Sequence, residues 1–452
     1  MDTIQEPARN VPIVHTADIC VIGGSCTGVF AAVRAARLGA DVAIIENNGF
    51  FGGVATAGLV NVWHSLHDAA QEDQIIGGLT AETIERLESR DAVCRVNGQA
   101  SAYILNTEEL KIELDALVCE ARVRPFLHSR FVAPVVDPSG TIAAAVIEDK
   151  SGRRAIRAKY FVDATGDGDV IHRMGLETLS RDNMQPPTAC ALFEGLAKVS
   201  QANRGFNLSK EVFEPSYAEA LARGFLWSSH VVGSDDLTMV AGTRVNNVDC
   251  SDADELTRAE IEGRQQVRRM LDVLRNHVAQ GRQVFIRGLP AYIGVRETRH
   301  ARCLHRLTED ELLHGRRFED AVANGSYRID IHHDDKPGIT LRYLDGREDY
   351  VVSGKPPVCG RWRPEGENWA RFYQIPLRSL IPYEGRNVIV AGRLIDADRG
   401  AYGAIRVMVN CNQTGEAAGV ACVQALDRDI EFQSLDPQQV RRQLAAGGSI
   451  VV

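Results

Sequence analysis

The stretch from Asp18 to Glu46 constrains this chain more than any other: D-I-C-V-I-G-G-S-C-T-G-V-F-A-A-V-R-A-A-R-L-G-A-D-V-A-I-I-E. Ile19 to Ile22 form an uninterrupted apolar run, which predicts a short strand buried on both faces. Gly23, Gly24, Ser25 and Gly28 then make a tight loop, and Val29, Val33 and Ala36 keep helical spacing up to a stop at Gly39. Val42 to Ile45 repeat the buried-strand pattern, and Glu46 closes it. Strand, glycine loop, helix, strand and acid, in that order, make a dinucleotide-binding fingerprint. Gly23 permits the turn, and the loop amides and helix N-terminus face a pyrophosphate. Gly28 lets helix and strand approach, and Glu46, about twenty residues on, accepts hydrogen bonds from a ribose diol. Ser25 replaces the usual middle glycine with a small side chain whose hydroxyl can donate to a phosphate.

A length of 452 residues allows two cores or one large one, so a cofactor domain with a second domain is expected. The formal net charge of −9 argues against a nucleic-acid partner or an anionic membrane surface. No apolar run reaches membrane-spanning length, and the first residues lack the basic start and apolar core of a signal peptide. The 10 cysteines stand singly, without C-x-x-C or metal-ligand spacing. A cytoplasmic location, reduced and mostly structural thiols, and no metal site are therefore expected.

Met1 to Thr16 read as a flexible lead-in. After Glu46, N-N-G-F-F-G-G-V-A-T-A-G-L-V carries Gly49, Gly52, Gly53 and Gly58, leaving little bulk in the way of a long cofactor. Gly78 to Glu88 read as helix, and Asn106 or Thr107 caps a second helix that opens with Glu108 and Glu109. Arg124 to Val136, Thr141 to Glu148 and Arg153 to Val162 read as strands of a small antiparallel sheet laid on the main one. A second glycine-rich strand end follows in Y-F-V-D-A-T-G-D-G-D-V, with Asp163, Asp167 and Asp169. Patterns become mixed between Asn183 and Phe372, which include a helix over Leu256 to His277 and a polar turn from Asp330 to Pro337. From Tyr373 the main sheet resumes, with a strand from Val388 to Ala391 ending at Gly392. A long helix then starts near Gly403, and its Gly415, Ala417, Ala418 and Gly419 offer a smooth face to the sheet. The expected divisions are 17–181 and 373–430 for a discontinuous cofactor domain, 183–372 for an inserted substrate or cap domain, and 431–452 for a C-terminal tail.

These stretches together resemble the FAD-dependent oxidoreductases related to the glutathione-reductase superfold, especially the broad bacterial group. The resemblance is carried by G-G-S-C-T-G with Glu46, F-F-G-G-V-A-T-A-G-L-V, V-D-A-T-G-D-G-D, L-T-R-A-E-I-E-G-R-Q-Q-V and I-G-V-R-E-T-R-H. S-Y-R-I-D-I-H, I-P-L-R-S-L-I-P and N-V-I-V-A-G-R follow in the same order, continued by G-A-I-R-V-M and T-G-E-A-A-G. It implies an α/β fold: a Rossmann-like, glutathione-reductase-type FAD-binding domain with an inserted α+β substrate domain. It also implies non-covalent, extended FAD. Gly23, Gly24, Ser25, Cys26 and Gly28 would lie at the pyrophosphate, and Glu46 at the adenosine ribose. Val132 would meet adenine through its backbone, while Gly53, Ala164, Gly166 and Asp167 would run along the cofactor. Gly392 and the helix start at Gly403, Ala404, Ile405 and Arg406 would approach the flavin's pyrimidine edge, where a helix N-terminus stabilises negative charge. The pattern departs after V-I-V-A-G, where many relatives place an aspartate for the ribityl chain. Arg393 stands there, with Asp396 three positions on, and both are candidates.

In such an enzyme the flavin performs the difficult step, and the protein supplies binding, orientation and a proton acceptor. His332 is the candidate base; the alternative is a strand-end histidine satisfied by Asp330, Asp334 or Asp335. His64 and His67 have H-x-x-H spacing but no third ligand, so a bland surface or helix pairing is expected. Arg296-Glu297-Thr298-Arg299 reads either as an ion pair buttressing the domain junction or as an anion clamp led by Arg296. Cys411 reads as a packing thiol. The leading function is a dehydrogenase or oxidase removing hydride from a C–OH, C–N or C–C unit of a small polar molecule. A flavin monooxygenase reduced by NAD(P)H is the alternative, although no second G-x-G-x-x-G has strand–helix context. A non-catalytic flavin-binding protein is a third class. Oxygen, quinone or nicotinamide as electron acceptor, and assembly into a homo-oligomer, are left open.

Overall fold

The computed structural model describes residues 2–96, 101–221, 224–366 and 368–452. Its centre is a five-stranded parallel sheet of β1 (Ile19–Ile22), β2 (Val42–Ile45), β3 (Arg124–Phe126), β4 (Tyr160–Asp163) and β5 (Val388–Val390). The spatial order is β5-β4-β1-β2-β3. Every residue of β1, β2, β4 and β5 is buried, which is why these strands show no polar alternation. Ile19 lies beside Val42 and Tyr160, and Phe161 beside Val388. The chain thus leaves the sheet after β4 and returns to its far edge only at Val388.

Helix α1 (Cys26–Arg37) follows β1 and stops where Gly39 takes a φ of +101°, a left-handed turn that favours glycine. Beyond β5 come α2 (Arg399–Ile405) and α3 (Met408–Arg428). The smooth face of α3, expected on the sheet, meets α1: a Cβ at Gly415 would overlap the Thr27 carbonyl oxygen, and one at Gly419 that of Ala31. A buried ion pair between Arg34 and Glu416 locks this contact, with Nε to Oε2 at 3.0 Å. The other Glu416 oxygen accepts from the Leu79 amide at 2.9 Å, and Arg34 Nη2 donates to the Gly447 carbonyl oxygen at 2.8 Å. The C-terminal stretch is packed rather than trailing, since helix Pro437–Ala446 buries Val440 and Leu444 in the main core.

Two strand expectations are corrected by pairing. Arg124–Phe126 and Tyr160–Asp163 belong to the parallel sheet, not to the antiparallel one. The second sheet contains Arg130–Val136, Ile142–Asp149 and Gly152–Arg157, and is completed by Ile13–Thr16, which pairs in parallel with Gly152–Arg157. The end of the lead-in is therefore a strand.

Residues from 189 to 295, within the expected cap, build a second hydrophobic core. Strands Trp227–His230, Leu237–Ala241, Ala191–Glu194 and Phe285–Gly288 form a four-stranded sheet in that order. Helix Ala253–His277, capped by Asp252 on the Asp254 and Glu255 amides, contributes Val267, Met270 and Leu274 to the core with Phe193 and Val240. Residues between Ala301 and Leu344 pack instead into the main core. A small sheet of Val62–His64, Ala102–Leu105 and Val93–Val96 sends Trp63, Tyr103 and Leu105 into the main core.

Candidate active site

A cavity of about 1260 Å³ runs from the glycine loop after β1 to the cap. Gly23, Gly24, Ser25, Cys26 and Glu46 line its first end. Gly23 takes a φ of +105°, and a Cβ there would overlap the Ala164 carbonyl oxygen, so strand end and loop close only on glycine. Gly28 does not line the cavity; its missing Cβ lets α1 pass the Gly23 carbonyl. The Ser25 side chain caps α1, its Oγ accepting from the Gly28 amide at 3.5 Å, which leaves its O–H free to donate. Burial pushes the Cys26 thiol up to about 12, so it is a packing group.

Glu46 is held in place by the loop. Oε2 accepts from the Gly24 amide at 2.7 Å, and Oε1 from the Asn48 amide and the Asn48 side chain, both at 2.7 Å. Burial raises its pKa, and these hydrogen bonds oppose the rise. Val132 lies off the cavity wall; its carbonyl oxygen accepts from Arg173 Nη1 at 2.8 Å in an irregular stretch of strand, and Ser129, Arg130 and Phe131 line the wall instead.

The middle of the wall is built by Gly53, Ala164, Gly166, Asp167 and Gly392. Asp167 accepts from Arg393 Nη2 at 2.7 Å and Thr298 Oγ1 at 2.8 Å. Arg393 lines the cavity, whereas Asp396 does not and accepts from the Cys303 amide at 3.1 Å. The expected helix start at Gly403 is displaced. The chain breaks between α2 and α3 at Val407 (φ −67°, ψ 146°), so the α3 N-terminus reaches the cavity through Val407 and Met408. Gly403 and Ile405 lie off the wall, with a Gly403 Cβ position only 3.0 Å from the Asp330 backbone, while Arg406 is on it. Arg393 Nε, Arg406 Nε and both side-chain polar atoms of Asn412 are buried on this wall without a hydrogen-bond partner. A glycine cradle, an acid at the second strand end, a long helix N-terminus and orphaned donors suit an extended dinucleotide with a polar ring edge.

At the far end the Arg296–Arg299 motif divides. Glu297 pairs with Arg181 and lies 3.2 Å from His300 Nε2; Arg299 pairs with Asp169 at 2.7 Å. Arg296 Nη1 donates only to neutral acceptors, the Pro186 carbonyl and Thr188 Oγ1, each at 2.6 Å, and no carboxylate among the described residues pairs with it. Burial and Arg406 bring its pKa down to about 10. His332 lines the same end, but its ring nitrogens are occupied: Nδ1 is 2.9 Å from Arg244 Nη2, and Nε2 is 3.2 Å from Asp330 Oδ1. An arginine can only donate, so Nδ1 is the acceptor and Nε2 carries the proton. Burial and Arg296 hold His332 well below the usual histidine range. Burial works against the Asp330 carboxylate, but His332, Arg406 and Arg328 outweigh it and keep the group well below the usual carboxylate range.

His64, read from sequence as half of a bland pairing, lines this cavity. Its ring lies against Tyr327, tilted by 31° with centroids 4.0 Å apart, and Tyr327 donates to Asp330 Oδ2 at 3.0 Å. No hydrogen bond from another described residue reaches its ring nitrogens, and burial with Arg328 lowers it to about 3, so it is a neutral imidazole facing the cavity. The sequence signal was alternation: Val62 and His64 share a strand face. Cys411 also lines the cavity, with its thiol raised to about 12 by burial.

A family model described as FAD dependent oxidoreductase matches residues 18–444. The chain belongs to this family. FAD is its cofactor, and the protein is an oxidoreductase. This FAD dependent oxidoreductase is 27% identical over 133 residues to dihydrolipoyl dehydrogenase of Trypanosoma brucei brucei, covering 23% of this chain and 28% of that protein. It is 23% identical over 160 residues to the mitochondrial dihydrolipoyl dehydrogenase of Schizosaccharomyces pombe, covering 33% and 28%. The match thus spans little more than a quarter of these curated relatives. Among solved structures, a geranylgeranyl bacteriochlorophyll reductase-like protein of Thermoplasma acidophilum gives a TM-score of 0.47 at 14% identity, over 96% of this chain and 83% of that one. No helix among the described residues is long and apolar enough to cross a membrane.

Proposed function

We propose that this FAD dependent oxidoreductase oxidises a small anionic substrate, removing hydride from a carbon next to an O–H or N–H group. The observation that carries this reading is Arg296, a half-buried guanidinium on the cavity wall whose hydrogen-bond partners are all neutral. A partly desolvated guanidinium with no direct ion pair gains from a substrate carboxylate, which its planar fork also orients. Bound FAD supplies the two-electron acceptor. Along the cavity, Gly23 to Cys26 and the α1 N-terminus would hold its pyrophosphate, Glu46 its ribose, and Arg393 and the α3 N-terminus its flavin.

The proton role moves from His332 to His64. His332 offers no free lone pair, since Arg244 occupies Nδ1, and it acts as a positioning residue that holds Asp330. His64 is neutral, faces the cavity and packs against the Tyr327 ring. An anionic substrate group near His64 counters the Arg328 and Arg406 charges that, after burial, depress this imidazole. Anaerobic mixing of the holoprotein with hydroxy- and amino-carboxylates, and with their neutral amides, tests the reading. Bleaching of the flavin by acids and not by amides is expected. Equal bleaching by both removes the charge argument, and bleaching by NAD(P)H alone favours the monooxygenase alternative.

A further inference from the structure

The charged end of the cavity continues into an apolar wall built by strand alternation. Val62 and His64 face one way on Val62–His64, as do Ala102 and Ile104 on Ala102–Leu105 and Cys94 and Val96 on Val93–Val96. Pairing aligns them in two rows, Val62–Ile104–Cys94 and His64–Ala102–Val96, and all six line the cavity. From the cap, Phe225, Trp227 and its cross-strand neighbour Ala241 line the same cavity. Two ring contacts join this wall to the charged cluster. His64 lies against Tyr327 at 4.0 Å and 31°, and the Phe225 ring meets His332 edge-on at 6.2 Å and 71°. The residues that suit FAD come from the loop after β1, from Glu46, from the strand ends of β4 and β5 and from α3, so the apolar rows are left for another occupant.

Resting on the anionic-substrate reading above, we propose that the substrate is amphipathic. Its carboxylate, or a comparable anionic group, sits at Arg296, and its apolar body, aryl or branched alkyl, lies on the Val62–Ile104 and Phe225–Trp227 surfaces. Pockets of this kind draw affinity from apolar contact and orientation from a few convergent polar groups. An aryl ring withdrawn from water tightens binding by roughly tenfold to a hundredfold over the bare anion.

Isothermal titration of the FAD-loaded protein with benzoate, acetate and benzyl alcohol, with the flavin spectrum recorded alongside, separates the two halves of the idea. Benzoate is expected to perturb the flavin spectrum and to bind at least roughly tenfold more tightly than either acetate or benzyl alcohol. Trp227→Ala and, separately, Val62→Asn shrink the benzoate–acetate difference and leave acetate affinity in place; Val62 lies on an edge strand, so this variant serves if the tryptophan change disturbs folding. Arg296→Ala shrinks the benzoate–benzyl alcohol difference. If acetate and benzoate bind alike and both depend on Arg296, the apolar inference fails and the charge reading stands. If benzyl alcohol matches benzoate, the charge reading fails and this inference with it. Absence of benzoate binding overturns the proposal outright.

Discussion

Glu46→Gln isolates what the acid at the second strand end does. The carboxylate accepts three hydrogen bonds of 2.7 Å, one on Oε2 from the Gly24 amide and two on Oε1 from Asn48. A glutamine has one oxygen. Whichever way its amide is turned, its NH₂ meets either the Gly24 N–H or the Asn48 N–H, and a buried donor loses its acceptor. That conflict costs about 1–3 kcal/mol in the FAD-free protein, before any cofactor is involved. Lost charge-assisted bonds to the ribose add about 1.5–3 kcal/mol to the cost of binding, or roughly tenfold to a hundredfold in Kd. Differential scanning calorimetry of deflavinated protein reads the first effect, and FAD titration by fluorescence quenching reads the second. A variant with unchanged melting temperature and unchanged Kd would refute both roles. A lowered melting temperature with unchanged Kd would leave Glu46 as a loop brace alone.

Gly28→Ala is expected to abolish FAD binding or folding, because its Cβ meets the Gly23 carbonyl oxygen; soluble, fully yellow protein would show that α1 can shift. His64→Ala is expected to slow substrate-driven flavin bleaching by roughly 10²–10⁴-fold while leaving FAD content intact; wild-type kinetics would return the search for a base to other cavity groups. Stability is expected to fall as pH drops from about 6.5 towards 4. His64, lowered to about 3 by burial and Arg328, stays neutral in the fold and protonates near 6.5 once unfolded, so the unfolded state binds more protons in this window. The contribution is whole above about 6.5 and is lost below it, at up to about 1.4 kcal/mol per pH unit. His333, lowered to about 4 by burial and Lys336, acts in the same direction over a narrower range, while Asp163, raised to about 6 by burial, opposes them below that pH. Urea denaturation at stepped pH checks the sign; stability that is flat or rises on acidification contradicts it.

The cofactor half of the site was legible because its determinants are local. β1, the loop, α1, β2 and Glu46 are consecutive in the chain, and each shows its role in its own residue type. The far half depends on pairings that sequence spacing does not carry. Arg393 faces the cavity through its tie to Asp167, and Asp396 is drawn away by the Cys303 amide. The helix after β5 breaks without glycine or proline at the break, because Arg406 is pulled to Gln185 and to the Asp330 carbonyl, each at 3.1 Å, and tertiary contacts override the helical run. Gly403 then serves close packing on Asp330 rather than approach to a cofactor. His64 was hidden by reading its spacing to His67 along the chain; the register with Ala102 is what turns it into the cavity. His332 lines the cavity, but its lone pair belongs to Arg244, which is 88 positions away.

The central claim is that a half-buried guanidinium with no directly bonded carboxylate reads the charge of a substrate beside FAD. Anaerobic stopped-flow reduction of wild type and Arg296→Ala by the best carboxylate substrate tests it most directly. The account predicts that the substrate concentration for half-maximal bleaching rises roughly tenfold to a hundredfold, the loss of one charge-assisted contact, with FAD content and spectrum unchanged. An unchanged half-saturating concentration, or a variant that loses FAD or does not fold, would place Arg296 in the scaffold and contradict the claim.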